Sequence, residues 1–388
     1  MSGARLCIGF IPLVDAGALI VAVDKGFTAA EGLDVELVRE VSWSNVRDKL
    51  NIGLFDAAHL LAPVAIASSL GLGHVKVPIV AAFGLGLNGN AITVSPALHA
   101  AIAAQADGDI GDPMVTARAL ARVVAGRRMQ GEAPLTFGMT FPYSTHNYQL
   151  RFWMAAGGVD PDQDIRLVVL PPPYMVESIV KKHVDGFCVG APWNSVAVDL
   201  GVGHILHFVS EILQRAAEKV LAVRARWASE NPDVFARLIR AHGKAAAYIG
   251  DAANREEVAA ILAAPDRIGV AAEVIRRTLD GRLKISPDGT YRASERYLLI
   301  GRAGAARPDP VHAAWLYAQM VRWGQALMSA EALAEARATF RPDLYDSILG
   351  AAPLPSGEPA DRIGAFTGPA FDPNDIGAHL NGWKIRRR

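Results

Sequence analysis

Between residues 135 and 194 the spacing of the apolar residues changes in a regular order, which restricts the fold more than any other feature of the sequence. Short apolar runs at 135–139, 165–170 and 186–189 predict strands, and the spacing at 146–156 and 174–182 predicts helices between them. Strands that alternate with helices form parallel β-α-β units. The segment therefore predicts an α/β fold with an open sheet.

Two loops of this segment follow the carboxyl ends of predicted strands, where open α/β sheets bind ligands. The first ends at His146 and enters a helix with Ser144 or Thr145 as its N-cap. Free N–H groups at a helix start, together with hydroxyls and an imidazole, favour an anion. The second loop turns at Gly190, where a ligand can approach the backbone closely. Taken alone, each loop favours the interpretation as an ordinary strand-to-helix connection.

The first hundred residues repeat the pattern, with strands predicted at 5–11, 34–39 and 54–61. Trp43 lies in the loop before a helix predicted at 46–52, a position equivalent to that of His146. Residues 79–95 predict two strands joined at Asn88-Gly89-Asn90. This turn either closes a hairpin or carries the chain into a second lobe, and both interpretations stay open.

Further strands are predicted at 204–208 and at 218–223, and the pattern beyond residue 225 is mostly helical. We predict lobe 1 from residues 1–92 and 218–350, lobe 2 from 93–217, and an extended tail at 351–388. The helices of the C-terminal part are predicted at 227–249, 255–264, 271–280, 310–328 and 330–339. Two α/β lobes joined by two crossings predict a periplasmic-binding-protein-like (type II) clamshell that closes by hinge motion around a small ligand.

Charge and cysteine content exclude several classes of function. The chain has 39 basic and 39 acidic residues, so no excess of positive charge favours direct nucleic-acid binding. Cys7 and Cys188 match no metal or redox spacing, and we expect neither a metal nor a cofactor. The first residues lack a charged segment and a cleavage site, and no apolar run of about 20 residues follows, which predicts a cytoplasmic protein without a membrane anchor.

Seven segments, in order over residues 5–235, resemble the nitrate- and bicarbonate-binding proteins of the NrtA/CmpA type. They are GFIPLVDAGALIVAVDKGFTAAEGLDVEL, SWSNVRDKL, LNGNAITVS, MTFPYSTHNYQLRFWMAAGGVDP, VVLPPPYMVESI, VDGFCVGAPWN and EKVLAVRARWASENP. The resemblance implies one anion between two lobes. It implies as ligand-binding residues Trp43, Asn90, His146, Gly190 and Lys219. Family members often have Gln where this chain has Asn90, so the amide reaches one methylene less far.

Nitrate suits these residue types. A buried monoanion needs about one compensating charge together with hydrogen-bond donors. Lys219 would supply the charge, and the indole, imidazole and amide groups and the Gly190 N–H would donate. For bicarbonate the family leads us to expect an additional acidic or metal-binding group, and the sequence has no evident Asp/Glu cluster to provide it. We therefore predict nitrate, with nitrite as a smaller relative.

The lack of a leader and of a lipid-attachment cysteine makes the chain resemble the NasS type of cytoplasmic nitrate/nitrite sensor. Such a sensor holds a NasT-type ANTAR antiterminator, an RNA-binding partner, until the anion binds. The anion would stabilise the closed clamshell, whereas the partner would prefer the open one. The alternative is the solute-binding component of a nitrate or bicarbonate ABC transporter.

The alternative from another class is an enzyme. A similar clamshell occurs in a pyrimidine-synthesising protein of thiamine metabolism. This sequence, however, has no pattern typical of a pyridoxal-phosphate site and no iron-binding cysteine motif. Ser144 and His146 also lack the nucleophile-elbow motif of a Ser-His-Asp hydrolase. We therefore predict a binding protein without enzymatic activity.

Overall fold

A computed structural model describes residues 4–350 and 362–387 of the chain. The strands are β1 (Ala4–Phe10), β2 (Leu33–Arg39), β3 (Ala57–Leu61), β4 (Ile79–Asn88), β5 (Asn90–Val94), β6 (Thr136–Met139), β7 (Arg166–Val169), β8 (Gly186–Gly190), β9 (His204–Phe208), β10 (Ala217–Arg224), β11 (Arg282–Lys284), β12 (Tyr291–Ala293) and β13 (Leu298–Leu299).

The α-helices lie between and after these strands. They are α1 (Gly17–Asp24), α2 (Phe27–Ala30), α3 (Trp43–Asn51), α4 (Ala62–Leu70), α5 (Pro96–Gln105), α6 (Pro113–Met129), α7 (Thr145–Ala156), α8 (Met175–Val180), α9 (Trp193–Asp199), α10 (Ala225–Glu230), α11 (Pro232–Gly250), α12 (Arg255–Ala263), α13 (Ala272–Asp280), α14 (Pro310–Arg322), α15 (Ala330–Thr339), α16 (Pro342–Leu349) and α17 (Ile376–Asn381). Within the described ranges, no helix is both long and apolar enough to cross a bilayer.

Five strands of one large sheet correspond to the five strands of the other. The first sheet runs β2-β1-β3-β10-β4, with β13 as a sixth strand beside β4, and the second runs β7-β6-β8-β5-β9. In the first, β1 is parallel to β2 and β3, and β10 is antiparallel to β3 and β4. In the second, β6 is parallel to β7 and β8, and β5 is antiparallel to β8 and β9. The repeated order confirms the predicted clamshell of two α/β lobes. The exact boundaries of the lobes, at residues 92 and 217, stay a prediction.

The chain leaves the first sheet at the end of β4 and enters the second sheet at the start of β5. The turn at Asn88 and Gly89 has φ values of 61° and 89°, a conformation that favours Gly and Asn. β4 pairs within the first sheet and β5 within the second, so the hairpin interpretation is wrong. The chain returns between β9 and β10. Both crossings therefore lie side by side at the junction of the lobes.

Several predicted boundaries differ from the structure. Trp43 is the first residue of α3 rather than part of the preceding loop, because the Ser42 hydroxyl caps the helix by accepting from the Asn45 N–H at 3.3 Å. The helix predicted at 227–249 divides into α10 and α11, with Pro232 opening the second helix. The helix predicted at 310–328 ends at Arg322. The short strands β11 to β13 were not predicted, because two or three residues carry no recognisable period.

Part of the predicted C-terminal tail, residues 351–361 and 388, lies outside the described residues. Residues 362–387 are not simply extended, since they include α17. Trp383 packs edge-on against Phe152 of α7 with ring centroids 4.9 Å apart. Arg387 pairs with Asp160 and Asp162.

Candidate functional site

Lys219 lies at the centre of a buried polar cluster at the junction of the lobes. Its Nζ is 2.9 Å from Asp15 Oδ2 and 3.3 Å from Glu218 Oε2, and all three side chains are buried. The pairing of β10 with β4 is irregular at Lys219. Such an irregularity, a β-bulge, redirects side chains, which lets two consecutive residues reach the same cluster.

The two carboxylates provide acidic groups beside Lys219, where no Asp/Glu cluster was evident from the sequence. Asp15 belongs to the 3₁₀ turn Val14–Ala16 that follows β1, and it is far from Lys219 in sequence. Neither residue was selected from the sequence as a site residue. The signals available for them were the position of Asp15 after a strand and the adjacency of Glu218 to Lys219. Lys219 therefore does not bring an unopposed positive charge to the site.

His59 of β3 extends the cluster, although no sequence motif pointed to it as a site residue. Its Nε2 is 3.0 Å from Asp15 Oδ1, and its Nδ1 accepts from the Ile11 N–H at 3.4 Å. The Trp43 ring packs against the His59 ring at 5.3 Å, and Lys219 Nζ lies 5.5 Å from the Trp43 ring centroid. The first turn of α3 thus places Trp43 at the cluster.

His146 occupies the first turn of α7. Its Nδ1 lies 3.0 Å from Thr140 Oγ1. Burial and the positive charge of Lys219 lower its pKa well below the ordinary value, so the ring is neutral and carries one N–H. We assign this N–H to Nε2, with Nδ1 accepting from the Thr140 hydroxyl. The hydroxyls of Ser144 and Thr145, which are secondary candidates for ligand binding, both make hydrogen bonds within the protein. Ser144 caps α7 by accepting from the Asn147 N–H at 3.1 Å, and Thr145 donates to the Ala217 carbonyl at 3.3 Å.

Asn90 and Gly190 face each other in the antiparallel pair of β5 and β8. Asn90 Nδ2 donates to Gln149 Oε1 at 2.9 Å, and Gln149 Nε2 donates to Glu218 Oε1 at 3.0 Å. Gln149 was not predicted, yet it lies one turn after His146 on α7 and therefore shares a face with it. Gln149 thus engages one of the two N–H groups of the Asn90 amide, and the expected contact between Asn90 and the ligand stays a prediction.

Three buried polar atoms of these side chains have no hydrogen-bond partner among the described residues: Trp43 Nε1, His146 Nε2 and Asn90 Oδ1. An ammonium has three N–H donors, and Asp15 and Glu218 account for two on Lys219. Buried polar atoms are seldom left unpaired in a native protein. The arrangement suits a small polar ligand that accepts from an indole, an imidazole and an ammonium.

Charges in the cluster are strongly coupled. Burial opposes the ionisation of Asp15, but the Lys219 charge and the His59 hydrogen bond hold the pKa of Asp15 below its ordinary value. Burial also opposes the Lys219 charge, which the two carboxylates outweigh, so that the pKa of Lys219 is raised. For Glu218 burial prevails and raises the pKa to about 7.

No group of three His, Cys, Asp or Glu side chains suited to a metal occurs in residues 4–350 and 362–387.

Two lobes of equal strand order, with buried unpartnered polar atoms near their crossings, define a two-lobed solute-binding protein. Residues 2–263 match the NMT1-like family. The chain is 31% identical to the nitrate/nitrite binding protein NrtA of Synechococcus elongatus, over 98% of this chain and 86% of that protein. The chain belongs to this family of NrtA/CmpA-type binding proteins, as its motifs predicted. NrtA is a binding protein rather than an enzyme, which agrees with the predicted absence of enzymatic activity.

Two further comparisons bear on the fold and on the architecture of relatives. The crystal structure of the periplasmic nitrate-binding protein NrtA from Synechocystis superposes with a TM-score of 0.87, at 28% identity and over 99% of both chains. The nitrate import ATP-binding protein NrtC of Synechocystis is 32% identical over 99% of this chain. The chain spans only 56% of the length of NrtC. The bicarbonate-binding protein CmpA of a Synechococcus is also similar, at 28% identity.

Proposed function

We propose that this protein binds nitrate, or the smaller nitrite, beside Lys219, and that it is the solute-binding component of an ABC importer. The observation that carries the proposal is the pair of unpartnered donors, Trp43 Nε1 and His146 Nε2, next to the Lys219 ammonium. A planar anion with three acceptor oxygens can accept from all three groups. The identity to NrtA along almost the whole chain supports the same ligand.

Bicarbonate is the second candidate, and one atom favours it. Asn90 Oδ1 is a buried acceptor without a partner in the described part of the chain. Nitrate has no proton to donate to this atom, whereas bicarbonate carries an O–H group. The carboxylates of Asp15 and Glu218 also supply the acidic groups expected of a bicarbonate site, and CmpA is among the relatives.

Transport is favoured over sensing because the similar proteins named above are binding or transport proteins. The NasS-type reading, with release of a NasT-type ANTAR antiterminator, remains a hypothesis without support from these relatives. Localisation separates the two roles. A binding component of an importer works outside the cytoplasmic membrane, whereas the predicted sensor works in the cytoplasm. Fractionation of cells that express the native gene, followed by immunoblotting, distinguishes them.

Ligand binding is tested by isothermal titration of the desalted protein with nitrate, nitrite, bicarbonate, chloride and sulfate. We expect one saturable site for nitrate and nitrite, and little heat with divalent sulfate, because one lysine opposed by carboxylates cannot balance two charges. Heat with bicarbonate alone would replace nitrate by the second candidate. No binding of any of the five anions would refute the proposed function.

The contribution of His146 is tested in the same titration. His146→Phe removes the Nε2 donor and keeps a ring of similar size, so nitrate affinity falls. The matched control is His183→Phe, which changes an exposed histidine beyond α8 and leaves affinity unchanged. Equal affinities of the two variants would exclude His146 from the site.

A further inference from the structure

A buried chain of hydrogen bonds joins the Glu218 carboxyl to the candidate anion site. Glu218 Oε1 accepts from Gln149 Nε2 at 3.0 Å, and Gln149 Oε1 accepts from Asn90 Nδ2 at 2.9 Å. All three side chains are fully buried. This series of hydrogen bonds ends at Asn90, whose Oδ1 lies 3.4 Å from the position that a Cβ would occupy if Gly190 carried one. An acceptor, rather than a donor, thus faces the part of the site that Gly190 leaves open.

The direction of this hydrogen-bond chain depends on whether Glu218 carries a proton. An ionised carboxylate only accepts, so Gln149 must donate its N–H to Glu218 and offer its oxygen to Asn90. A protonated carboxyl can instead donate to Gln149. If both amides then rotate by half a turn, Gln149 donates to Asn90, and Asn90 presents N–H to the ligand. The oxygen and nitrogen of an amide are nearly equal in size, so the reversal fits within the same packing.

The charges in the cluster favour the protonated form when an anion is present. With Asp15 and Glu218 both ionised, their two negative charges exceed the single positive charge of Lys219. A monoanion would then add a further negative charge in a buried environment, where like charges repel strongly. One proton on Glu218 removes that excess.

We propose that anion binding takes up one proton from solvent onto Glu218 and reverses the Glu218–Gln149–Asn90 chain, so that Asn90 donates to the anion. This inference rests on the proposed function. The protein then binds nitrate together with a proton, and its affinity for nitrate falls as the pH rises. Gln149 acts as a positioning residue that transmits the protonation state of Glu218 to Asn90.

Other titratable groups surround Glu218, and none of them titrates near neutral pH. They are Lys219 on the same strand, Asp15 after β1, His59 on β3, His146 on α7 and Cys188 on β8. Burial lowers the pKa of both histidines, and it raises the pKa of the Cys188 thiol well above its ordinary value. Asp15 stays ionised and Lys219 stays charged. Glu218, with its pKa raised to about 7, is the member that titrates near neutral pH.

The test measures nitrate affinity and proton uptake by the wild-type protein. Titrations run at pH 6, 7, 8 and 9, and those at pH 8 are repeated in HEPES and in Tris, whose ionisation enthalpies differ. From pH 6 to 9 the Kd for nitrate should rise by about 100-fold. At pH 8 about 0.9 proton should be taken up for each nitrate bound. These two measurements need no variant.

Glu218→Gln identifies the group that takes up the proton. The new amide can donate to Gln149 at every pH, so the Kd should stay within about threefold of the wild-type value at pH 6, without proton uptake. Glu211→Gln, a partly buried glutamate that pairs with Arg292, is the control and should retain the pH dependence.

Three results would overturn the proposal in distinguishable ways. Nitrate binding with constant affinity and no proton uptake would refute the coupling and leave the proposed function intact. Persistence of the pH dependence in Glu218→Gln would assign the proton to another group. No nitrate binding at any pH would refute the proposed function as well.

Discussion

Asn88 and Ala216 exchange two hydrogen bonds across the two crossings between the lobes. The Asn88 N–H donates to the Ala216 carbonyl at 2.9 Å, and the Ala216 N–H donates to Asn88 Oδ1 at 2.8 Å. Asn88 Nδ2 donates in addition to the carbonyls of Gln214 and Arg296. The Asn88 side chain would be exposed in a simple hairpin turn, but here it is buried. Its hydrogen bonds link the two segments that connect the lobes.

Removal of the Asn88 amide should destabilise the protein. Asn88→Gly accommodates the φ of 61° but leaves the buried Ala216 N–H and the partly buried carbonyls of Gln214 and Arg296 without their partner, at a loss of about 2–4 kcal/mol in free energy of unfolding. Asn88→Ala should lose about 1 kcal/mol more, because a Cβ disfavours this conformation. Urea unfolding measures both changes. Wild-type stability of Asn88→Ala would contradict the assignment.

The pKa of Glu218 predicts how stability depends on pH without ligand. In the folded protein this pKa is about 7, against an ordinary value of 4.5, so the folded state keeps the proton to higher pH. The associated stability is fully present below about pH 4.5 and is lost as the pH rises through 7, a change of about 3 kcal/mol. Urea unfolding at pH 5 and 8 should show this loss in the wild-type protein relative to Glu218→Gln. Parallel behaviour of the two proteins would disprove it.

Lys219→Met should destabilise the folded protein and abolish anion binding. The substitution leaves two buried carboxylates without their shared cation, at a loss of about 3–5 kcal/mol. The loss should be larger at pH 8 than at pH 5, because protonation at low pH removes the uncompensated charge. Lys181→Met on the exposed end of α8 is the control and should change stability by less than about 0.5 kcal/mol. Thermal unfolding and nitrate titration measure the two effects, and retained affinity would exclude Lys219 from the site.

Trp43→Phe isolates the contribution of one N–H group. The aromatic ring remains beside Lys219, but the unpartnered Nε1 donor is lost, so the Kd for nitrate should rise about tenfold. Trp323 at the end of α14 likewise has an Nε1 without a partner in the described part of the chain, which makes Trp323→Phe the matched control with unchanged affinity. If both variants bind nitrate as the wild type does, Trp43 does not contact the ligand.

Gly190→Ala tests the space beside Asn90. A Cβ at this position would lie 3.4 Å from Asn90 Oδ1 and 3.5 Å from the Leu13 methyl groups, which are ordinary contacts that the fold tolerates. The methyl group would nevertheless occupy the place where a ligand approaches the backbone, so nitrate affinity should fall at least about tenfold with little change in melting temperature. Gly126→Ala on α6 meets no atom within 4 Å and should leave affinity unchanged. Normal binding by Gly190→Ala would place the ligand elsewhere.

The sequence by itself determined the alternation of strands and helices, because a period of two or 3.6 is a local property of the chain. Strand β9 at residues 204–208 and helix α15 at 330–339 agree with the predicted ranges. The motifs around Trp43, His146 and Lys219 could also be recognised from the sequence, since each lies where a strand meets a helix or where the chain passes between the lobes. Their resemblance to a known family then placed them together.

The tertiary structure decided what these residues face. Asp15 and His59 meet Lys219 only when β1, β3 and β10 lie side by side, and no local pattern encodes that contact. The hydrogen-bond chain from Glu218 through Gln149 to Asn90 likewise joins elements from both lobes. Residue types reveal which groups can donate or carry charge, but burial and neighbouring charges fix whether they do. The sequence predicted Lys219 as the positive charge that balances the anion. In the folded protein its ammonium is already shared by the carboxylates of Asp15 and Glu218.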